Sequence, residues 1–195
     1  IGVNLNPDKI CNFDCIYCEV DQDTPARASE VDLAQVCDEL RVMIRLARDG
    51  GLAKEPKFDE VPELTRSIRD IAFSGDGEPT MVHNFDEVVK AVAKVKHETG
   101  LEDTKIVLIT DAAGLDKASV RRGLEIMDAN NGEVWAKLDA GTKEYFRQVN
   151  RTSVKFQRIL GNLCTTAKAR PILIQSLFLK IHGEPMSRQE LEAYC

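Results

Sequence analysis

Short apolar runs alternate along the chain with longer stretches whose apolar positions recur every three to four residues. Residues 1–6 read as a strand. Val31, Leu33, Val36, Leu40, Met43, Ile44 and Ala47 then recur at helical spacing, and Gly50-Gly51 ends that helix. Residues 68–74 read as a second strand. Phe85, Val88, Val89, Val92 and Val95 mark a second helix, stopped by Gly100. Residues 105–110 are almost continuously apolar, as a strand covered on both faces must be. A helix over 118–127, a strand over 133–139, one or two helices over 142–169 and a strand over 172–181 follow. Ser187-Arg188-Gln189-Glu190 has the pattern of a capping box and opens a last helix. Residues 54–65, charged and with two prolines, read as a surface connection. Strand and helix in strict alternation predict an α/β fold with a parallel sheet and right-handed crossovers, as an open sheet or a barrel.

Composition narrows the class. The 195 residues suffice for one domain, and 30% charged against 43% hydrophobic residues is the balance of a globular protein. The formal net charge of -6 opposes non-specific binding to nucleic acid. Residues 142–170 depart from that average, with seven Lys or Arg (Lys143, Arg147, Arg151, Lys155, Arg158, Lys168 and Arg170) against Glu144 alone. Such a segment is either a solvated helix face or a surface for an anionic or RNA partner. No apolar run is long enough to span a membrane and no signal peptide is visible, so a cytoplasmic location and no membrane partner are expected. The chain begins at Ile1 inside a strand-like run, and its final helix opens only a few residues before Cys195. It therefore reads as a single domain over residues 1–195 that is cut from something longer.

Six cysteines permit three disulfides, but three of them, Cys11, Cys15 and Cys18, lie within eight residues directly after the first strand. That spacing points to a metal or redox site in a reducing compartment. Thiolates suit zinc and iron-sulfur clusters. A structural zinc ion wants four protein ligands, and the next cysteine, Cys37, falls inside the first helix beside Val36. Three ligands without a fourth leave an open position where a small molecule can bind. A zinc or iron-sulfur module without catalysis, and a thiol oxidoreductase using Cys15 and Cys18, remain as alternatives.

The segment Cys11-Asn12-Phe13-Asp14-Cys15-Ile16-Tyr17-Cys18 resembles the signature of the radical S-adenosylmethionine (SAM) superfamily. The resemblance implies a partial TIM-like (β/α) barrel, truncated here after about five βα units. It implies a 4Fe-4S cluster held by Cys11, Cys15 and Cys18, with SAM chelating the fourth iron and Tyr17 near the adenine. Such enzymes cleave SAM reductively to a 5′-deoxyadenosyl radical that abstracts hydrogen from a substrate. An external one-electron donor of flavodoxin or ferredoxin type is the implied partner.

Further motifs stand at the other strand ends. Gly77-Glu78-Pro79 matches the second half of the family's Gly-Gly-Glu motif, which holds the SAM amino group, with Asp76 in place of the first glycine. Taken alone, Gly-Asp-Gly-Glu is a turn. Thr110-Asp111 stands where family members often have Thr-Asn, near methionine or ribose hydroxyls, and it equally fits an Asx turn. In the fourth strand Trp135, Lys137 and Asp139 share one face. The resemblance gives Lys137 the SAM carboxylate and Asp139 a hydroxyl, while a mutual ion pair is the alternative. Gln175 interrupts the fifth apolar run and must find partners, either the cofactor or the cluster loop. His182-Gly183-Glu184-Pro185 is expected to be a turn. Asn4-Leu5-Asn6-Pro7, Tyr17-Cys18-Glu19-Val20-Asp21, Gly77-Glu78-Pro79-Thr80, Asp139-Ala140 and Val149-Asn150-Arg151 look most like the branch related to wyosine-type tRNA-modifying synthases, which would make tRNA the substrate. The catalytic acid, base and substrate contacts are not assigned.

Overall fold

The apolar run at 105–110 forms the central strand of a parallel sheet. In the computed structural model, which describes all residues except 22, 27, 29, 55 and 59–66, this strand spans Lys105–Thr110. In chain order, β1 is Gly2–Val3, β2 Asp70–Phe73, β3 Lys105–Thr110, β4 Gly132–Lys137 and β5 Leu173–Gln175. Among the described residues the sheet has five strands in the order β1-β2-β3-β4-β5, every neighbouring pair parallel. The connecting helices are α1 (Leu33–Arg48), α2 (Phe85–Glu98), α3 (Ala118–Asp128), α4 (Lys143–Asn150), α5 (Phe156–Ala169) and α6 (Arg188–Tyr194). Sequential order without a reversal is the arrangement of a barrel wall, with all carboxyl ends of the strands on one rim.

Burial explains the order. Ile106, Val107 and Leu108 of β3 are all buried, because β2 and β4 flank them and helices cover one face. That covering layer is built from Leu40 and Ile44 of α1, Phe85, Val88, Val89 and Val92 of α2, and Val120 and Leu124 of α3. Gly123 lets α3 lie directly on α2, since a Cβ there would stand 2.6 Å from the Phe85 ring. Helices start where short polar side chains meet free backbone N–H groups. Asp32 Oδ1 accepts from Ala34 N at 2.8 Å, and Thr142 Oγ1 accepts from Tyr145 N at 3.2 Å.

Strand bounds are shorter than the apolar runs predict, most of all for β5. There the expected strand over 172–181 reduces to three residues, and Leu173, Ile174 and Gln175 are exposed. An edge strand pairs on one side only, so apolar composition does not ensure burial. The helical stretch after β4 is two helices, split where Arg151 takes a left-handed conformation (φ 44°). Ser187 caps α6 as expected, its hydroxyl accepting from Glu190 N. Glu190 does not close the box. It turns instead to the start of α4 and accepts from Gly141 N at 2.5 Å and Thr142 N at 3.2 Å. His182 and Gly183 make the expected turn, closed by the Ile181–Glu184 bridge. Of the expected surface connection over 54–65, residues 55 and 59–65 lie outside the described residues, and two short 3-10 turns, Gly51–Lys54 and Pro56–Phe58, lead into it. Among the described residues no helix is long and apolar enough to cross a membrane.

Candidate functional site

The chain leaves β1 at Val3 and runs as a loop across the rim of the sheet. Asn4 fixes its entry: the amide donates to Asp76 Oδ2 at 2.9 Å, and its Oδ1 accepts from Asp76 N at 3.2 Å. Asp76, which replaces the first glycine of the family motif, thus ties the loop after β2 to the loop after β1. Gly75 and Gly77 permit the approach. A Cβ on Gly77 would stand 2.2 Å from Ile10 O, and one on Gly75 would stand 2.3 Å from Asn4 Oδ1. The far side of the loop hangs on the end of α4. Asp14 N donates to Asn150 O at 3.1 Å and Ile16 N to Val149 O at 2.9 Å, while Phe13 packs edge-on against Phe146. Thr152 Oγ1, just past α4, donates to Asn12 O at 2.6 Å.

These ties place Cys11, Cys15, Cys18, Gly75, Gly77 and Arg151 around one cavity of about 310 Å³. All six cysteines are free thiols. Burial pushes the Cys11 thiol up to about 12, against the pull of the Phe13 N–H. Burial also raises Cys15, against a hydrogen bond from Asn150. Among the described residues no three Cys, His, Asp or Glu side chains converge as ligands of one ion. Three thiolates on one short loop, each able to hold a different iron, are a donor set that fits a 4Fe-4S cluster.

Glu78 is placed differently from the expectation that it receives an ammonium group. It is 3% exposed and its carboxylate is used internally. Oε1 accepts from Thr80 N at 3.1 Å, Thr80 Oγ1 at 2.6 Å and Thr110 Oγ1 at 2.6 Å, and Oε2 accepts from Asp111 N at 2.8 Å. The reason is steric. Pro79 opens a short 3-10 turn, Pro79–Met81, that turns Glu78 inward, so its backbone faces the cysteine loop and its side chain laces β2 to β3. Pro79 is itself buried, and the Thr110 hydroxyl is occupied by Glu78. Both support the site from behind.

Asp111 satisfies one of its two expectations. Oδ1 closes an Asx turn by accepting from Ala113 N at 2.8 Å, while Oδ2 is buried beside the Asn12 amide. Burial first, and the neighbouring Glu78 charge second, raise Asp111 from 3.8 to about 8. Glu78 is also pushed up by burial, against the pull of its four donors, so the two neighbouring carboxyls disfavour being ionised together and Asp111 keeps its proton at neutral pH. The unfolded chain releases that proton near pH 3.8, whereas the folded chain keeps it to about pH 8. The stability this contributes is complete below pH 3.8 and is lost as pH rises through 8. Asp111→Asn is therefore expected to flatten the pH dependence. Its melting temperature, measured without cofactor, gains on the parent progressively from pH 5 to pH 9, and parallel curves would refute the assignment.

A second group of side chains adjoins the loop. Tyr17 Oη donates to Asp139 Oδ2, and burial followed by the Asp139 carboxylate raises the Tyr17 pKa. Asp139 Oδ1 accepts from Leu177 N at 2.9 Å, which ties the group to the segment after β5. Lys137 Nζ lies 4.8 Å from the centroid of the Tyr17 ring. Among the described residues Lys137 and Asp139 make no ion pair with each other, so the alternative of a mutual pair is replaced by a shared contact with Tyr17. Gln175 is exposed on β5, in register with Lys137, and among the described residues no side-chain hydrogen bond joins it to this group. The sequence reading did not single out Asn150 as a site residue. Its side chain donates to Cys15 Sγ and to Asp139 Oδ2, each at 3.4 Å. The available signal was an amide at the end of a strongly amphipathic helix, which must find partners when buried.

Parallel strands with a three-thiol loop at their carboxyl rim can now be set beside known proteins. Residues 5–191 match the radical SAM superfamily. The chain belongs to the radical SAM superfamily. Members of this superfamily use a 4Fe-4S cluster and SAM, and the fold is that of their partial barrel. A structure of TYW1 with a lysine-pyruvate adduct bound superposes with a TM-score of 0.56 at 18% identity, covering 90% of this chain and 54% of that one. A UPF0026 protein of Synechocystis sp. is 24% identical over 157 residues, 80% of this chain and 49% of its own length. A protein named GTPase Obg, from Brachyspira hyodysenteriae, is 25% identical over 165 residues, 84% of this chain but 21% of its own. This radical SAM chain thus spans half or less of these curated relatives.

Proposed function

We propose that this chain is the cofactor-binding core of a radical SAM enzyme, with Cys11, Cys15 and Cys18 holding three irons of a 4Fe-4S cluster. The observation that carries the reading is one cavity that Cys11, Cys15 and Cys18 line together with Gly75 and Gly77. When bound, cluster and SAM supply a 5′-deoxyadenosyl radical that takes a hydrogen atom from a substrate.

The chain's own groups bind, orient and shield. The Gly75–Gly77 backbone, freed of Cβ atoms, is the surface on which the amino acid end of SAM lies. Glu78 holds that surface rigid from behind, so the ammonium meets backbone oxygen and not the carboxylate. Lys137 lies beside the Tyr17 ring, and its cation suits the SAM carboxylate. Asp139 fixes the Tyr17 ring through its hydroxyl, so that the ring is preorganised as a wall for the adenine. An external one-electron donor of flavodoxin or ferredoxin kind would reduce the cluster.

For the substrate, an RNA such as tRNA has one supporting feature. Lys143, Arg147 and Lys155 line a cavity of about 200 Å³ between α4 and α5, and among the described residues none of them is ion-paired. Thr152 in the same lining is bonded to the cysteine loop, so phosphates held there would lie next to the cofactor site.

Anaerobic reconstitution with iron and sulfide tests the reading. The expected product is a brown protein with about four irons per chain that forms 5′-deoxyadenosine from SAM on reduction. A colourless protein carrying one zinc would overturn it.

A further inference from the structure

We infer that Asn150 is the hydrogen-bond donor that sets the reduction potential of the cluster through Cys15, an inference that rests on the reading above. Asn150 is 2% exposed at the last position of α4, far in sequence from the cysteines. Its backbone and side chain grip the loop at two points. The carbonyl accepts from Asp14 N at 3.1 Å, and the amide nitrogen donates to Cys15 Sγ at 3.4 Å.

The direction of the amide is fixed by its surroundings. A primary amide nitrogen carries two hydrogens, and Nδ2 meets two acceptors, Cys15 Sγ and Asp139 Oδ2, each at 3.4 Å. With a cluster bound Cys15 is a thiolate, and flipping the amide would then set Oδ1 against a thiolate and a carboxylate, three acceptors with no hydrogen among them. Asp139 in turn is anchored by Tyr17 Oη and Leu177 N, so the amide cannot rotate away to follow its second acceptor. Oδ1 itself is buried with no hydrogen-bond partner among the described residues. The fold tolerates an unsatisfied carbonyl here and keeps both N–H groups on their targets, which an apolar residue of the same shape would not do.

An N–H dipole aimed at a ligand sulfur stabilises the more negative, reduced cluster. Such bonds are among the features that set cluster potentials. Asn150 thereby eases delivery of the electron, and Arg151, immediately after it, ends α4 in the left-handed conformation. Asn150 is a positioning residue that acts through Cys15.

The test is an anaerobic redox titration, followed by the EPR signal of the reduced cluster, on reconstituted parent, Asn150→Leu and Asn150→Asp. Asn150→Leu is expected to lower the midpoint potential so that the reduced fraction at a fixed poise falls about tenfold, ~59 mV for one electron. Asn150→Asp, which keeps the shape and adds an acceptor, is expected to lower it further and provides the answer if the leucine variant does not fold. In the parent, an exchangeable proton coupled to the cluster should vanish in both variants. Unchanged potentials in variants with full iron content would overturn the role of Asn150 and leave the cluster reading intact. A parent that assembles no cluster would overturn both.

Discussion

Replacing Cys11, Cys15 or Cys18 singly by alanine is expected to reduce the iron content after reconstitution from about four per chain to a trace, and to abolish 5′-deoxyadenosine formation. The same change at Cys37, Cys164 or Cys195 should leave both within about twofold, with Cys37→Ala costing roughly 1 kcal/mol of packing. The contrast follows from placement. Cys11, Cys15 and Cys18 line one cavity, whereas Cys37, Cys164 and Cys195 do not line it and Cys37 packs against the core. Cys11 separates this outcome from thiol exchange. A Cys15–Cys18 redox pair would survive its loss, and its own thiol, raised to about 12 by burial, is too weakly ionised near neutrality to be a nucleophile. Iron must therefore displace that proton, and loading is expected to release protons to the medium. Retention of full activity in Cys11→Ala would exclude the cluster.

Glu78→Ala is expected to destabilise the protein by about 3 kcal/mol, or roughly 6–12 °C in melting temperature for a chain of this size. Four donors lose their acceptor. The Thr80 and Thr110 hydroxyls can rotate to other partners, but the N–H groups of Thr80 and Asp111 cannot. Glu78→Gln should recover only part of the loss. Its oxygen can replace Oε1, but its NH2 then faces Asp111 N, donor against donor. Thermal melting of the three proteins without cofactor checks this. If Glu78 instead received the SAM ammonium directly, the glutamine variant would keep the parent's stability and lose only SAM affinity. The two accounts therefore predict opposite patterns for one substitution.

Periodicity was sufficient for the alternating elements because each face of a helix or strand is buried or solvated as a unit, and the apolar pattern records which. β3 fills the predicted residues 105–110, and α2 and α3 follow their predicted stripes. β5 does not, since its apolar residues lie at a sheet edge and exposure there depends on neighbours, not on composition. The glycines and the acidic residue after β2 were legible as a motif. Their division of labour was not. Gly77 faces the cysteine loop, whereas Glu78, one residue on, points the opposite way into the core.

The sequence by itself carried the resemblance that pointed to the family. Three thiols at fixed local spacing after a strand are a property of one short segment, and thiolate chemistry does not depend on what packs around it. Only the tertiary structure decided which side chains stand behind those thiols. Asn150 meets Cys15 across 135 positions, and Asp139 meets Tyr17 across 122. Such contacts arise when separate βα units bring their carboxyl ends to one rim. No local pattern encodes them, because each partner's burial and hydrogen bonding depend on a residue that the chain reaches only by folding.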